Sequence, residues 1–237
     1  MLPSLLAASI YIAMPAQHPP AAETLTPEAV LAELKAGNLR FVEGRRTRSL
    51  RSAEDPRVRE LLAGGQHPLA VVVTCSDSRL ADNLIFDQEL GRLFTIREAG
   101  NSPDTQGIAS AEYAVEHLGC PLVVVMGHTS CGAIKAVAEA NGVPLPGNLW
   151  TFQASMAGLL ESTPRGSEDV KTHQKRLAAV NAQRQARAMV ARSEILREKV
   201  AEGGVKVVAA MYDLASGTVT WLPDAPEAKA AKGHKSH

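Results

Sequence analysis

Aromatic side chains and net charge are both scarce in this sequence. Phe, Trp and Tyr make up 4% of the 237 residues, whereas the apolar types together make up 45%. The core must therefore be built from aliphatic side chains. Lys+Arg and Asp+Glu both number 25, so the formal net charge is zero. This balance gives no reason to expect nucleic acid or an anionic membrane as a partner, because both attract an excess of positive charge.

Cysteine is also scarce, and the residues present, Cys75, Cys120 and Cys131, are an odd number. An odd count is a poor basis for a disulfide framework, and a chain of this length suffices for one domain with a sizeable core. We therefore expect free thiols in a reducing compartment, with the cytoplasm as the default location. A Cys75–Cys131 disulfide is the alternative in an oxidising compartment.

Lys and Arg are absent before Lys35. Residues 1–23 begin with an apolar run that is too short to span a bilayer, and they lack the positive charge of a secretory signal. Three interpretations stay open: an atypical signal, which would direct the protein to the periplasm or outside the cell; a small anchor or packing arm; or an early start codon, with Met14 as the true start. No later run is longer than a core strand, so we expect no membrane span.

Continuous aliphatic runs predict the strands of a parallel sheet. They lie at 69–74, 93–96, 122–126 and 205–211. Runs of this kind suit strands that helices cover on both faces. After the last run, a short turn at 213–217 predicts an antiparallel return strand at 218–222.

Helical patterns alternate with these strands. Thr26 can cap a first helix that has Pro27 in its first position. Further helices are predicted at 56–63, 108–118, 133–140 and 167–200. The alternation predicts an α/β fold with a mostly parallel central sheet, an antiparallel last strand and flanking helices, in one domain over 24–223. The small, charged tail at 224–237 is expected to be disordered.

Two polar clusters follow the first and third predicted strands. Cys75, Asp77 and Arg79 make up the first, and His128 and Cys131 belong to the second. Sites in open α/β sheets collect beyond the carboxyl ends of the strands, so we expect the clusters to meet. Two thiolates and an imidazole suit zinc, and three protein ligands with an open position are typical of a catalytic zinc.

Asp77 leaves two possibilities for the fourth zinc position. Alternate residues of an extended segment share one side, so Arg79 can hold Asp77 in a two-pronged pair. If the pair forms, water takes the open position; if it breaks, Asp77 could ligate zinc. In the first case Asp77 can orient a zinc-bound hydroxide, which forms at about pH 7, for attack on a small electrophile.

Other interpretations of the cysteines and histidines stay open. A closed structural zinc site and a lone redox or nucleophilic cysteine are the alternatives to a catalytic zinc. Cys120 is expected to be a core residue, and His67 is expected to lie in a surface loop, although it could also move protons. The basic stretch 171–199 is interpreted as a solvated helix face or a subunit contact.

At these residues the sequence resembles the β-class carbonic anhydrases. The Cys-x-Asp-x-Arg and His-x-x-Cys motifs match the family's pattern at the right separation. The segments AGNLRF, EYAVEHLG and YDLASGTVTWL are also similar to it. REAGN (97–101) resembles the family's Arg-Asn-Ala-Gly-Asn segment, with Glu98 in place of Asn. The resemblance extends over about residues 27–223.

The resemblance implies a zinc enzyme that interconverts carbon dioxide and bicarbonate. It implies one zinc ion per chain on Cys75, His128 and Cys131, with Asp77 and Arg79 as the orienting dyad. Two rival functions stay open. The same scaffold could act on carbonyl sulfide or carbon disulfide, or the chain could be a structural or regulatory zinc protein in which Asp77 stays on the metal.

The resemblance also implies a substrate pocket that contains Gln66, Phe94 and Tyr113, with the backbone N–H of Gly132 near the bound anion. In this family the pocket forms between two subunits, so a homodimer or a dimer of dimers is implied. Some members are inhibited by bicarbonate at a second site that includes a Trp three residues before the first zinc cysteine. Val72 stands at that position here, which favours the constitutively open subtype.

Overall fold

The computed structural model describes residues 25–48 and 54–223. The terminal segments 1–23 and 224–237, for which a signal or arm and a disordered tail are predicted, lie outside the described residues. Residues 49–53 also lie outside them. No helix within the described ranges is long and apolar enough to cross a membrane.

One sheet forms the centre of the protein, and its strand order is β2-β1-β3-β4-β5. The strands are β1 (Ala70–Thr74), β2 (Leu93–Arg97), β3 (Leu122–His128), β4 (Lys206–Tyr212) and β5 (Val219–Trp221). The first four pair in parallel, and β5 is antiparallel to β4. The predicted fold class is confirmed. Strand β3 is longer than predicted, because His128 still pairs with Tyr212.

Helices cover both faces of the sheet. They are α1 (Pro27–Val42), α2 (Pro56–Ala63), α3 (Asp82–Ile85), α4 (Thr105–Leu118), α5 (Gly132–Ala140), α6 (Trp150–Ser155), α7 (Leu159–Ser162), α8 (Val170–Arg192) and α9 (Glu194–Ala201). The predicted cap of α1 is confirmed, because the Thr26 hydroxyl accepts the Ala29 N–H at 3.2 Å.

The mostly helical stretch predicted at 167–200 is confirmed, and Ser193 divides it into α8 and α9. This residue is extended, with φ −113° and ψ 120°. Its hydroxyl accepts the Leu196 N–H at 3.0 Å and caps α9. A serine that can satisfy a free N–H group favours a helix start over a helix interior, which explains the division.

Alternate residues of the central strands enter two separate cores. Val72 belongs to the core under α1 and α5, whereas Val71 belongs to the core under α4 and α9. Every residue of β1 and β3 is buried, as expected for strands covered on both faces. Helix α8 packs on β3 and β4 and contributes to both cores. This packing places the carboxyl ends of β1 and β3 side by side beneath the helices.

Candidate active site

The two predicted polar clusters meet at the carboxyl ends of β1 and β3. These strands are parallel neighbours in which Thr74 is paired with Met126. Cys75 directly follows β1, His128 ends β3, and Cys131 is the residue before α5. A left-handed residue between the last two, Ser130 with φ 56°, turns the chain so that both side chains approach Cys75.

The side chains of Cys75, His128 and Cys131 form a compact, buried group. Their ligand atoms all lie within 4.8 Å of one another, and the two sulfurs are 4.0 Å apart. Zinc–sulfur bonds of about 2.3 Å at tetrahedral angles separate two sulfurs by about 3.8 Å. The spacing and the donor types therefore fit zinc.

The imidazole of His128 has one ring nitrogen ready for a metal. Its Nδ1 lies 2.9 Å from the carbonyl oxygen of Thr129, a contact that requires Nδ1 to carry the proton. Its Nε2 is fully buried and has no hydrogen-bond partner. A buried acceptor without a partner is costly, and a metal ion would remove this cost.

The two thiols interact so strongly that their pKa values move in opposite directions. The hydrogen bond with Cys131 lowers the pKa of Cys75, and the same bond together with burial raises the pKa of Cys131. The raised pKa of Cys131 therefore opposes the loss of the proton from that thiol. A dication between the two sulfurs would stabilise both thiolates and release this proton.

Asp77 forms the predicted two-pronged pair with Arg79. The Arg79 Nε donates to Asp77 Oδ1 at 2.8 Å, and its Nη2 donates to Oδ2 at 2.6 Å. These bonds hold the pKa of Asp77 well below its usual range, so the side chain is a carboxylate at neutral pH. Its Oδ2 lies 3.9 Å from His128 Nε2, next to the three ligand atoms.

A further arginine holds the loop that carries Cys75 and Asp77. Arg97, at the end of β2, donates from Nε to the Cys75 carbonyl at 3.2 Å and from Nη2 to the Asp77 carbonyl. The Ser76 hydroxyl donates back to the Arg97 carbonyl at 3.2 Å. No local sequence pattern indicates this role of Arg97, because the contacts are to backbone atoms and depend on the register of β1 and β2.

Glu98, the departure from the family pattern, contributes to a helix cap. Its Oε2 accepts the Asp104 N–H at 3.0 Å, and Asp104 in turn accepts the N–H groups of Gln106 and Gly107 at the start of α4. Glu98 therefore acts on the structure of α4, and its side chain makes no hydrogen bond to the metal ligands.

The three predicted pocket residues do not join the metal ligands within one chain. Gln66 is exposed in the loop that enters β1, and the five residues of β1 separate that end of the sheet from Cys75 by roughly 17 Å. Phe94 lies near the start of β2, where its ring centroid is 6.4 Å from that of Tyr113. Tyr113 is 50% exposed.

Gly132, which the resemblance places near the bound anion, lies next to Cys131. It is the first residue of α5, directly after Cys131, and it is exposed. The first N–H groups of a helix have no partner inside the helix and attract negative charge. The backbone N–H of Gly132 therefore belongs to the end of α5 that favours an anion.

The remaining predicted residues lie away from this group. Cys120 is buried, and its thiol donates to the Pro68 carbonyl at 3.4 Å, so its predicted place in the core is confirmed. His67 is exposed in the loop before β1, and its carbonyl accepts from Arg92. Neither side chain has a contact that would connect it to the metal ligands.

Comparison with known proteins identifies relatives of this chain. The carbonic anhydrase family model matches residues 70–219. Carbonic anhydrase 2 of Mycobacterium tuberculosis is 37% identical over 198 residues, which cover 81% of this chain and 90% of that protein. The carbonic anhydrase of Mycolicibacterium smegmatis is 46% identical over 114 residues, which cover 48% of this chain and 54% of that protein.

Solved structures give the same result for the fold. The β-carbonic anhydrase CafA of Aspergillus fumigatus matches with a TM-score of 0.67 at 31% identity, over 74% of this chain and 85% of that chain. A tetrameric β-carbonic anhydrase of Sordaria macrospora matches with a TM-score of 0.65 at 26% identity, over 73% and 89% of the two chains. The chain therefore belongs to the β-class carbonic anhydrases.

Proposed function

We propose that this protein catalyses the reversible hydration of carbon dioxide with one zinc ion per chain, held by Cys75, His128 and Cys131. The observation that carries the proposal is the convergence of the three side chains, in which the Nε2 of His128 is buried without a hydrogen-bond partner. Three protein ligands leave a tetrahedral ion one position for a reactant. When bound, zinc lowers the pKa of a water ligand to about 7 and so supplies hydroxide as the nucleophile.

Asp77 is the residue that would orient the nucleophile. Its carboxylate can accept a hydrogen bond from a donor beside His128 Nε2, because Oδ2 is 3.9 Å from that nitrogen. Arg79 keeps the carboxylate ionised and engages both of its oxygens. The pair therefore favours an open metal position over ligation by Asp77, since ligation would require at least one of these bonds to break.

The backbone N–H of Gly132 would stabilise negative charge on the product. It stands at the start of α5, immediately after the ligand Cys131. A bicarbonate oxygen placed there would meet the positive end of the helix. This contact needs no side chain, which agrees with the open space around the Gly132 Cα.

We also propose that two chains complete each substrate pocket. Gln66, Phe94 and Tyr113 lie toward the opposite end of the strands from Cys75 in their own chain. Strand β2, which carries Phe94, is an edge of the sheet, and Tyr113 is half exposed beside it. A second copy that packs on this edge could bring the three side chains to its partner's zinc. The minimal assembly is therefore a homodimer, which could pair further into a dimer of dimers.

Stopped-flow carbon dioxide hydration, with zinc measured on the same sample, tests this function. We expect fast hydration and about one zinc per chain in the wild-type protein. Cys75→Ser should lose zinc and activity together, because a hydroxyl is a poor replacement for a thiolate ligand. Cys120→Ser, a matched change at a buried cysteine outside the site, should keep both. Full zinc content in Cys75→Ser would disprove the ligand assignment, and absent hydration in a zinc-loaded wild type would disprove the activity.

A further inference from the structure

A chain of buried polar contacts connects the sulfur of Cys75 to the middle of α8. The N–H of Gly100 donates to Cys75 Sγ at 3.3 Å. The carbonyl of Gly100 accepts from Asn181 Nδ2 at 2.7 Å. Asn181 is completely buried, with 0% exposure. One amide side chain of α8 is thus connected to a metal-ligand sulfur through a single residue.

The Gly100 N–H can point at the sulfur because the residue is left-handed. Its φ is 71° and its ψ is 18°. This backbone conformation favours glycine, and a Cβ here would lie 2.3 Å from Met156 Cε, so that side chain would have to move. The Ser102 hydroxyl donates to the same carbonyl at 3.1 Å. The orientation of this peptide therefore depends on the hydrogen bonds that its carbonyl accepts.

Asn181 is itself held in place. Its Oδ1 accepts from Gln185 Nε2 at 3.3 Å, and that nitrogen also donates to the Ser155 carbonyl at 2.9 Å. Asn181 stands among apolar neighbours on the buried side of α8, such as Leu177 and Ala178. A buried amide is costly unless it is hydrogen-bonded, so its place in this stripe indicates a specific acceptor rather than packing.

We propose that Asn181 is a positioning residue for Cys75, which tunes the affinity of the site for zinc. By holding the Gly100 carbonyl, it keeps the Gly100 N–H directed at the sulfur. This donor stabilises the thiolate and fixes the direction from which the sulfur can bind a cation. The inference rests on the proposed zinc site, and residues in such outer contacts alter metal affinity by about 10- to 100-fold.

The test compares Asn181→Asp with Asn38→Asp in the full-length protein. Asp is isosteric with Asn but offers the Gly100 carbonyl no donor. Asn38 is a matched control, because it is also buried and donates to backbone carbonyls, those of Ile85 and Gly217 at 3.1 and 2.9 Å. Zinc affinity is measured by competition with a chelator at fixed pH, and the sulfur-to-metal charge-transfer band is recorded after loading with cobalt(II).

We expect Asn181→Asp to bind zinc about tenfold more weakly and to shift the cobalt band to longer wavelength, because a sulfur without its N–H donor is richer in electrons. Asn38→Asp should change neither the zinc affinity nor the position of the cobalt band, even if it lowers the stability of the protein. If Asn181→Asp does not fold, Asn181→Ser decides, since its side chain is too short to reach Gly100. A folded Asn181 variant with unchanged zinc affinity and band position would overturn the inference. Failure of the wild type to bind zinc would instead overturn the proposed function.

Discussion

Asp77 and Arg79 are one of two Asp-x-Arg pairs with the same local geometry in the described chain. Asp55 and Arg57, at the start of α2, form an equally close two-pronged pair with an Nη2–Oδ2 distance of 2.7 Å. The difference lies in the surroundings, because Asp77 faces His128 Nε2, whereas Asp55 stands on the surface. The motif alone therefore does not define a functional pair, and proximity to the ligand group does.

Asp77→Asn should keep zinc but lose most of the hydration rate. The amide keeps the shape of the carboxylate but not its charge, and its nitrogen cannot accept a hydrogen bond. Loss of orientation at a reacting group costs about 100-fold in rate. Zinc content and stopped-flow hydration should be measured on the same sample, with Asp55→Asn as the control that retains both. An unchanged rate in Asp77→Asn would remove Asp77 from the mechanism.

Asp82 is a second carboxylate with an unusual environment. It is 5% exposed, and its Oδ1 has no hydrogen-bond partner. Burial raises the pKa of Asp82 to about 6, although the charge of Arg97 acts in the opposite direction. The folded protein therefore holds this proton more tightly than the unfolded chain, whose aspartate pKa is about 3.9. The resulting stability is fully present below that value and is lost as the pH rises through 6.

Asp82→Asn should consequently stabilise the protein at pH 8 but not at pH 4. The neutral amide avoids the cost of a buried charge, which the pKa shift puts at no more than about 3 kcal/mol. The free energy of unfolding should be measured for both proteins by urea denaturation at several pH values. Zinc release in acid affects both proteins alike, so it does not change the difference between their free energies of unfolding at a given pH. If the difference in the free energy of unfolding between the two proteins does not grow between pH 4 and pH 7, the pKa of Asp82 is not raised by burial.

At the scale of elements, the close approach of α8 to β3 positions the site. Gly127 precedes His128 in β3, and a Cβ there would lie 3.0 Å from the Ala178 carbonyl oxygen and 2.9 Å from Met211 Sδ. Any larger residue must therefore push the helix away from the strand. The same helix carries Asn181, so its distance from β3 also affects the contacts of the Cys75 sulfur.

Gly127→Ala should destabilise the protein by about 1–3 kcal/mol, which is typical of overpacking a filled core. Gly204→Ala is the matched control, because a Cβ there meets its nearest neighbour, the Lys199 carbonyl oxygen, at an ordinary 3.8 Å. Urea denaturation at equal zinc concentration measures both changes. Equal stability of the two variants would show that α8 can move away from β3 at no cost.

At the scale of the whole molecule, the proposed pocket takes its parts from two chains. The proposed zinc ligands and Asp77 come from one chain, whereas the strand length separates Gln66 from them by roughly 17 Å. If the pocket is shared between two chains, a defect in Gln66 on one chain and a defect in Cys75 on the other affect the same site, and the second site of the dimer stays intact.

Mixing Gln66→Ala chains with Cys75→Ser chains during refolding should therefore restore activity. Each mixed dimer would contain one intact site, so a random mixture should recover roughly a quarter of the wild-type rate. Mixing Cys75→Ser with Asp77→Asn should restore much less, because in each site of that mixed dimer the zinc ligands and Asp77 come from the same, defective chain. A mixture of the first pair that is no more active than its separate components would show that Gln66 does not act across the interface.

Much of this protein could be predicted from its sequence, because the relevant physics is local. Continuous aliphatic runs predict buried parallel strands, and Thr26 followed by Pro27 predicts the start of α1. The pair of motifs after β1 and β3 predicts the ligand group, since parallel strands end at one edge. The division at Ser193 was missed, because a serine within a long helical pattern does not show whether it will cap or continue the helix.

Other features depend on contacts between residues that are far apart in the chain. Arg97 and Gly100 reach Cys75 only through the pairing of β2 with β1, and Asn181 reaches Gly100 across 81 positions. No pattern within α8 identifies an acceptor on another element. The sequence by itself thus determined the strands, the longer helices and the proposed metal ligands, whereas only the tertiary structure decided which side chains hold those ligands in place. The reason is that hydrogen-bond direction depends on how elements pack, and packing is not a local property.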